Sequence, residues 1–378
     1  MWIFGRDDDA NKIWSEVGDG KNLLLLAPRR VGKTHLQHLL TQQAPNHGYR
    51  AIWLDVEGFG AEKDFLSQLC SAIQEELSIG SQVISSLTHR LNNALKGKSG
   101  SEKDWRGWLL ETDWKDFAEQ LLAQLEEDDN EHDWLILIDE LPIFVQELQR
   151  QSGTEAVGVF LYWLRRARQK YKSIRWVLAG SIGLDTVARQ HGFEGALNDL
   201  VPTGLEPFPD DIAKEFLSEI ATKNGKSFSD EALEHVIKRL GWLSPYYLER
   251  IGKTSCSITA SGHEIQKADV DASMDQLLEL PNRLYWASWR DHLDRNFEED
   301  ARLSLYRMLA EISKMRTGCS RSHLVATLSA YGAKEAEEAV RDGLDSLEND
   351  GFISKSGNSY RFRMNLLREW WRRYVVTE

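Results

Sequence analysis

The chain has 378 residues, 42% of them hydrophobic and 28% charged, with a formal net charge of −13 at pH 7. This length exceeds what one hydrophobic core usually holds, so we expect two or three domains. The acidic balance argues against a chain-wide electrostatic grip on DNA, although a local basic patch remains compatible with it.

The cysteines and the N-terminus indicate the cellular compartment in which we expect the protein. Three cysteines lie far apart without a CxxC pair, which argues against a disulfide framework or a zinc ribbon and predicts a cytoplasmic protein. The N-terminus MWIFGRDDD, a very short apolar run followed by acids, is unlike a signal peptide. No apolar run approaches the length of a bilayer-spanning helix, so we expect no membrane partner.

Short apolar runs alternate with helical patterns in the first half of the chain. The runs that predict strands are residues 23–26, 51–54, 134–138 and 175–178, with a fifth at about 200–205. Apolar spacing predicts helices over residues 65–77, 114–125 and 157–168. Alternation of this kind predicts a doubly wound α/β domain with a parallel sheet. The polar stretch NNALKGKSGSEKDW predicts an exposed insertion loop.

The pattern changes after Pro207. Residues 211–280 have helical spacing with a break at GWLSPYY, and three further helical patterns follow from Ala301. In GFISKSGNSYRFRM, SGN separates two short alternating runs, which predicts a hairpin. Three helices followed by a hairpin describe a winged helix. The expected domains are therefore residues 1–206, 207–285 and 286–378.

The stretch LLLLAPRRVGKTHLQHLL, residues 23–40, predicts a phosphate-binding loop. It follows GxxxxGK[ST], except that Ala27 occupies the position of the first glycine. In such a P-loop, backbone N–H groups surround the phosphates, the lysine reaches the terminal phosphates and the hydroxyl binds Mg²⁺. Gly32, Lys33 and Thr34 provide these features after a predicted strand. The alternative is a chance GKT at a helix start.

Two further motifs follow predicted strands. WLILIDE ends in Asp139 and Glu140, where P-loop enzymes hold Mg²⁺ and activate water. The alternative role for this pair is an acidic helix cap before Pro142. In WVLAGSIG, Ser181 comes just past a strand and is a candidate for a γ-phosphate contact, or an ordinary turn serine.

Together these stretches resemble the archaeal-type P-loop ATPases of the AAA+/STAND group. FGRDDDANKIW is similar to the hhGR box of that group, APRRVGKTHL to its GPRRxGKT loop and LILIDE to its Walker B motif. LAGSIGL resembles the sensor turn, and GWLSPYYLERIG resembles the glycine–proline lid motif. The resemblance covers nearly the whole chain, because the group also ends in a winged helix.

The resemblance implies an α/β P-loop NTPase core of the additional-strand type, followed by a helical lid and a winged-helix domain. The sensor strand would lie between the P-loop strand and the Walker B strand. The implied ligands are ATP and Mg²⁺. Glu140 would be the catalytic base, Lys33 and Ser181 would act in catalysis, and Thr34 and Asp139 would hold the metal. The nucleotide-binding residues would be Phe4, Gly5, Arg6, Pro28, Arg29, Arg30, Val31, Gly32, Lys33, Thr34, His35 and Pro245.

Two parts of this pattern depart from the family or stay open. Gly241 precedes Pro245 by four residues, a wider spacing than the usual Gly-x-Pro of the lid motif. Arg165, Arg166 and Arg189 lie in segments where related ATPases place transition-state arginines, and ordinary surface charge is the alternative for each.

Two functions compete for this chain. In the first, it is a regulatory switch that hydrolyses ATP to ADP and phosphate and couples nucleotide state to lid and winged-helix movement or assembly, with a protein partner or self-association. In the second, it is a DNA-associated ATPase that binds duplex through the winged helix. A non-hydrolysing scaffold is a third class, which the intact Asp139–Glu140 pair argues against.

The third winged-helix pattern, AKEAEEAVRDGLDSLEND, favours protein contact over sequence-specific DNA reading. Its outward positions are mostly acidic, and such a face repels a phosphate backbone. The tail YRFRMNLLREWWRRYV is contrary evidence, since its arginines can grip a backbone non-specifically or dock on acidic protein surface.

Overall fold

A computed structural model of the chain describes residues 3–80, 113–127, 132–180, 184, 188, 192–333 and 335–376. The contacts divide the chain into two compact units. The core unit comprises Arg6–Leu26 and Lys33–Gly204. The C-terminal unit comprises Met1–Gly5, Ala27–Gly32 and Leu205–Glu378. Most of the predicted phosphate-binding loop therefore belongs to the same unit as the C-terminal half of the chain.

The core unit contains a parallel sheet of five strands in the order β2-β3-β4-β1-β5. The strands are β1 (Asn22–Leu26), β2 (Tyr49–Asp55), β3 (Asp133–Asp139), β4 (Ile174–Gly180) and β5 (Leu200–Gly204). All five predicted strands are confirmed. The sensor strand β4 lies between β1 and β3, as the family resemblance implied.

Helices of the core unit follow the predicted apolar spacing. They are α1 (Asp7–Gly18), α2 (Lys33–Gln43), α3 (Glu62–Gly80), α4 (Trp114–Glu127) and α5 (Leu141–Lys170), the last broken at Gly153. The inner strand β3 is buried over its whole length after Asp133. Both faces of the sheet are therefore covered, as expected for parallel strands made of continuous apolar runs. The predicted insertion loop lies outside the described residues.

The C-terminal unit begins with a helical segment. Its helices are α6 (Asp210–Lys223), α7 (Asp230–Leu240), α8 (Pro245–Ile258), α9 (Lys267–Leu277) and α10 (Leu284–Asn296). Pro245 occupies the first turn of α8, where its missing N–H costs no helical hydrogen bond. The helix α7 begins with a true cap, because the Ser229 side chain accepts from the N–H of Ala232.

A winged helix ends the chain. Its elements are α11 (Glu299–Lys314), β6 (Cys319–Ser320), α12 (Arg321–Ala330), α13 (Ala336–Asn349), β7 (Ile353–Ser356), β8 (Ser359–Phe362) and α14 (Asn365–Tyr374). The strands β7 and β8 form the predicted antiparallel hairpin, and β6 joins β8 at the other side. Within the described residues, no helix is both long and apolar enough to cross a bilayer.

Candidate functional site

In the core unit, the start of α2 and the end of β3 bring a hydroxyl and a carboxylate together. Thr34 Oγ1 donates a hydrogen bond to Asp139 Oδ2 at 2.6 Å. Asp139 is 2% exposed, and Lys33 beside Thr34 is 5% exposed. Buried charges are expensive unless they are paired or bind a ligand. The pair Thr34–Asp139 is therefore a ready pair of oxygen ligands for a small hard cation.

Glu140 has a strained backbone at the end of the same strand. Its φ is 54° and ψ 32°, a left-handed conformation that residues other than glycine rarely adopt. Its N–H donates to Asp139 Oδ1 at 3.0 Å. Glu140 occupies the N-cap position of α5, but its side chain makes no capping hydrogen bond. The carboxylate is therefore not used as a helix cap, the alternative role that the sequence left open.

In the C-terminal unit, the backbone and side chain of Arg30 are held by several groups. Its guanidinium donates to the Tyr247 hydroxyl at 3.2 Å, to the Tyr285 carbonyl at 2.7 Å and to Ser288 Oγ at 2.5 Å. The same guanidinium lies 4.0 Å from the ring centroid of Tyr246. The lid-motif residue Ser244 donates its hydroxyl to the Arg30 carbonyl at 2.6 Å.

This network fixes Arg30 in a left-handed conformation, with φ at 67°. Such a conformation in a residue with a side chain costs about 1–2 kcal/mol, which the hydrogen bonds offset. Burial raises the pKa of Tyr247 to about 12, so its hydroxyl stays neutral and keeps a proton to donate. That hydroxyl accepts from Arg30 and from Trp289 Nε1, the latter at 2.6 Å, and donates to the Tyr285 carbonyl at 3.3 Å.

Arg29 is the first residue in a second series of polar contacts. Its Nη1 lies 3.1 Å from His292 Nδ1, and His292 Nε2 lies 2.8 Å from Asp350 Oδ2. A guanidinium has only donors, so Nδ1 must accept, and the imidazole proton is on Nε2, where it donates to Asp350. His292 and Asp350 are 6% and 7% exposed. The chain Arg29–His292–Asp350 thus joins the loop to α10 and to the end of α13.

Pro28 packs against Gly351, the residue that follows Asp350. A Cβ added to Gly351 would lie 2.6 Å from Pro28 Cβ, and Gly351 has φ at +83°. Only glycine fits here on both counts. Pro28, Arg29 and Arg30 are therefore each contacted by residues of the segment 205–378.

The remaining predicted nucleotide residues are distributed over the two units. In the C-terminal unit, Phe4 packs against Phe208 and Phe216, with ring centroids at 6.4 and 5.3 Å. Gly5 has φ at +63°, and a Cβ there would lie 2.6 Å from Ile212. In the core unit, Arg6 is buried, pairs with Asp9 at 2.8 Å and has its pKa lowered by burial. Val31 is buried and His35 is exposed.

The arginines proposed for the transition state have structural partners. Arg165 donates to the Gly195 carbonyl, and Arg166 lies 3.4 Å from a Glu119 carboxylate oxygen. Both contacts lie within the core unit. Ser181 and Arg189 lie outside the described residues.

Sequence reasoning missed the partners of the loop arginines. Ser288, His292 and Asp350 sit in stretches without a motif, and His292 is 263 positions from Arg29. The polar run WRDHLDRN carries no signal for a phosphate site. The only local hint was GWLSPYY, whose Ser244 and Tyr247 both contact Arg30.

Comparisons with known proteins agree with this architecture. Residues 17–188 match a family model described as an AAA domain. The chain superposes on the Walker-type ATPase PABY2304 of Pyrococcus abyssi with a TM-score of 0.70 at 18% identity, over 98% of this chain and 96% of that one. It superposes on the ORC2 protein of Aeropyrum pernix, solved as ADPNP–ADP complexes, with a TM-score of 0.57 at 13% identity, over 98% and 95%.

No curated protein sequence matches the chain. At these identities the structural likeness shows the fold alone. The AAA domain match, the sheet order 2-3-4-1-5 and the C-terminal winged helix together confirm the resemblance to P-loop ATPases that the sequence motifs indicated. Residues 17–188 therefore match an AAA domain, in a chain whose fold combines a P-loop-type sheet, a helical lid and a C-terminal winged helix.

Proposed function

We propose that the chain is a Mg²⁺-dependent ATPase that works as a regulatory switch, in which the nucleotide state of the P-loop controls the lid and the winged helix. The observation that carries this proposal is the set of contacts on Arg29 and Arg30. Both arginines belong to the predicted phosphate loop by sequence. Arg30 is held by Tyr247 of the lid and Ser288 of α10, and Arg29 contacts His292 of α10, which pairs with Asp350 at the end of α13. A change in the loop must therefore change those contacts.

The chemistry proposed for ATP follows from the residues of the core unit. Lys33 would contact the terminal phosphates, and Glu140 would accept a proton from the attacking water. The Thr34 hydroxyl and Asp139 carboxylate, 2.6 Å apart, fit a shared Mg²⁺. Mg²⁺ held by these two residues would supply positive charge that offsets the charge of the phosphates. Ser181 keeps its proposed role as a sensor of the γ-phosphate.

Nucleotide binding would be coupled to the C-terminal unit because the loop that would bind the phosphates is also contacted by side chains of that unit. A P-loop binds phosphate through its backbone N–H groups, so its residues must adopt one particular backbone path. Arg30 has a strained φ that Ser244 and Ser288 help to fix. A ligand shifts a two-state equilibrium only through different affinity for the two states. If Arg29 and Arg30 are arranged differently in two states of the loop, the affinity for ATP would differ between those two states.

The winged helix is better suited to protein contact than to duplex reading. On α13, Val340, Leu344 and Leu347 are buried, whereas Glu337, Glu338, Asp342 and Asp345 are exposed. An acidic face of this kind opposes entry into a major groove. Trp370 and Trp371 are buried and unavailable for stacking on bases. A protein partner or a second copy of the chain therefore fits α13 better than the alternative, a DNA-associated ATPase.

Two substitutions test hydrolysis. Glu140→Gln should retain ATP binding and lower turnover by about 10²–10⁴-fold, because an amide cannot accept the proton. Lys33→Ala should lose nucleotide binding, since the phosphates lose their nearest cation. Binding is measured by calorimetry and turnover by phosphate release. Equal turnover by the unsubstituted chain and Glu140→Gln would remove Glu140 as the base.

A further inference from the structure

A basic cleft lies within the C-terminal unit, away from the loop arginines. Two cavities of about 480 Å³ each share the lining residues Arg239, Arg316, Arg368 and Glu369. The elements that meet there are the end of α7, the start of α9, the turn after α11 and the helix α14. The cleft is large enough for a ligand with several charged groups.

Positive charge in the cleft exceeds the negative charge. Five of its cations form no salt bridge within the described part of the chain, namely Lys238, Lys267, Arg316, Arg368 and Arg372. The nearby acids are already engaged: Asp271 and Glu369 pair with Arg239, and Asp275 pairs with Arg239 and Arg373. This surplus is unexpected in a chain whose net charge is −13.

Arg368 shows that the surplus is not merely solvated surface charge. It lines both cavities, is only 9% exposed, and its Nε is buried without a hydrogen-bond partner in the described structure. Burial lowers the pKa of Arg368, and the neighbouring Arg316 lowers it further. A buried Nε–H group without a partner costs free energy, which a bound anion that accepts its hydrogen would offset.

We propose that this cleft binds phosphate oxyanions carried close together on one ligand, the chemistry shared by a nucleic-acid backbone and a free polyphosphate. Arginine forks match phosphate oxygens in a bidentate manner. Arg368 and Arg372 are four positions apart on α14, on one face of the helix. Several cations in one cleft match a dense series of charges, which phosphates provide better than peptide carboxylates.

The cleft has few groups besides cations that could read bases. Within the described residues its lining contains no Phe, Tyr or Trp, and His235 is its one imidazole and Asn365 its one amide. Base recognition uses stacking or paired hydrogen bonds to base edges, whereas backbone contacts use cations. We therefore expect binding at this cleft to be largely independent of sequence.

The test uses the full chain carrying Lys33→Ala, so that phosphate binding at the P-loop is weakened in every sample. The probes are a labelled oligothymidylate, inorganic tripolyphosphate and poly-glutamate. The cleft variant is Arg316→Ala with Arg372→Ala, both exposed positions. The matched control is Arg361→Ala, an exposed arginine of β8 that does not line the cleft.

Oligothymidylate or tripolyphosphate should bind the parent and Arg361→Ala, and bind the double variant at least tenfold more weakly. For the oligonucleotide, the slope of log K against log salt should fall by about 0.7 for each arginine removed. Tighter oligonucleotide binding identifies a nucleic-acid backbone, and tighter tripolyphosphate binding identifies a free polyphosphate. The proposal is overturned if neither binds, if the double variant binds like Arg361→Ala, or if poly-glutamate binds equally well.

Discussion

Arg30 and Glu140 are two of the three described non-glycine residues with a positive φ, and both belong to the predicted phosphate motifs. Strain of this kind persists only where the surroundings hold it. Arg30 is held by Ser244, Tyr247 and Ser288, and the N–H of Glu140 is held by Asp139. The surroundings of both residues therefore hold a backbone conformation that residues other than glycine rarely adopt.

Gly351 tests the contact between the loop and the end of α13. In Gly351→Ala the new methyl would overlap Pro28, whereas at Gly357, which also has a positive φ, an added Cβ would have nothing within 4 Å. Both alanine variants pay the left-handed backbone cost of about 1–2 kcal/mol. Overlap should add about 1–3 kcal/mol for Gly351→Ala. Thermal unfolding measures the difference, and equal midpoints for the two variants would contradict the contact.

The three cysteines offer a simple check on burial. Burial raises the pKa of Cys70 to about 12 and that of Cys319 to about 11, and it also raises the pKa of Cys256. A raised pKa means less thiolate, the reactive form, at pH 8. A thiol reagent should therefore label the native chain slowly and label three thiols after denaturation. Rapid labelling of any native cysteine would show that its surroundings are open.

At the scale of elements, the junction of β4 and α5 positions Glu140. Gly180 ends β4, and a Cβ there would lie 2.1 Å from Pro142 Cδ, in the first turn of α5. The helix that starts after Glu140 can approach the sheet because this position has no side chain. Packing at Gly180 therefore sets the place of the catalytic candidate.

Gly180→Ala should displace the start of α5 and lower the stability of the core by about 1–3 kcal/mol. ATP turnover should fall as well, because Glu140 would move. Gly204→Ala is the matched control, since that glycine ends β5 with nothing within 4 Å of an added Cβ. Stability and turnover that fall equally in both variants would argue against a special role for the Gly180–Pro142 contact.

The elements were predictable to different degrees. Residues 134–138 are continuously apolar because β3 is buried on both faces, so the strand is visible in the sequence. The hairpin was visible through SGN between β7 and β8. The Arg29–His292–Asp350 chain was not, because it joins residues far apart in sequence that carry no local pattern. A left-handed backbone at Arg30 was equally hidden, since no glycine marks it.

At the scale of the whole molecule, residues 27–32 are the segment through which the proposed coupling would pass. By sequence they precede Lys33 and Thr34, and by contact they belong to the C-terminal unit. In sequence, the predicted phosphate-binding residues at the start of α2 follow directly after this loop, whose arginines contact α8 and α10. In this account a nucleotide-dependent change at the loop reaches α10 through Ser288 and His292.

Hydrogen exchange with and without ATP and Mg²⁺ tests this coupling most directly. The sample is Glu140→Gln, which should hold ATP without turnover, and the control is Lys33→Ala, which should not bind it. We predict that ATP changes the exchange rate of residues 284–296 in Glu140→Gln and leaves it unchanged in Lys33→Ala. Identical exchange of residues 284–296 in Glu140→Gln with ATP bound and with ATP absent would contradict the switch.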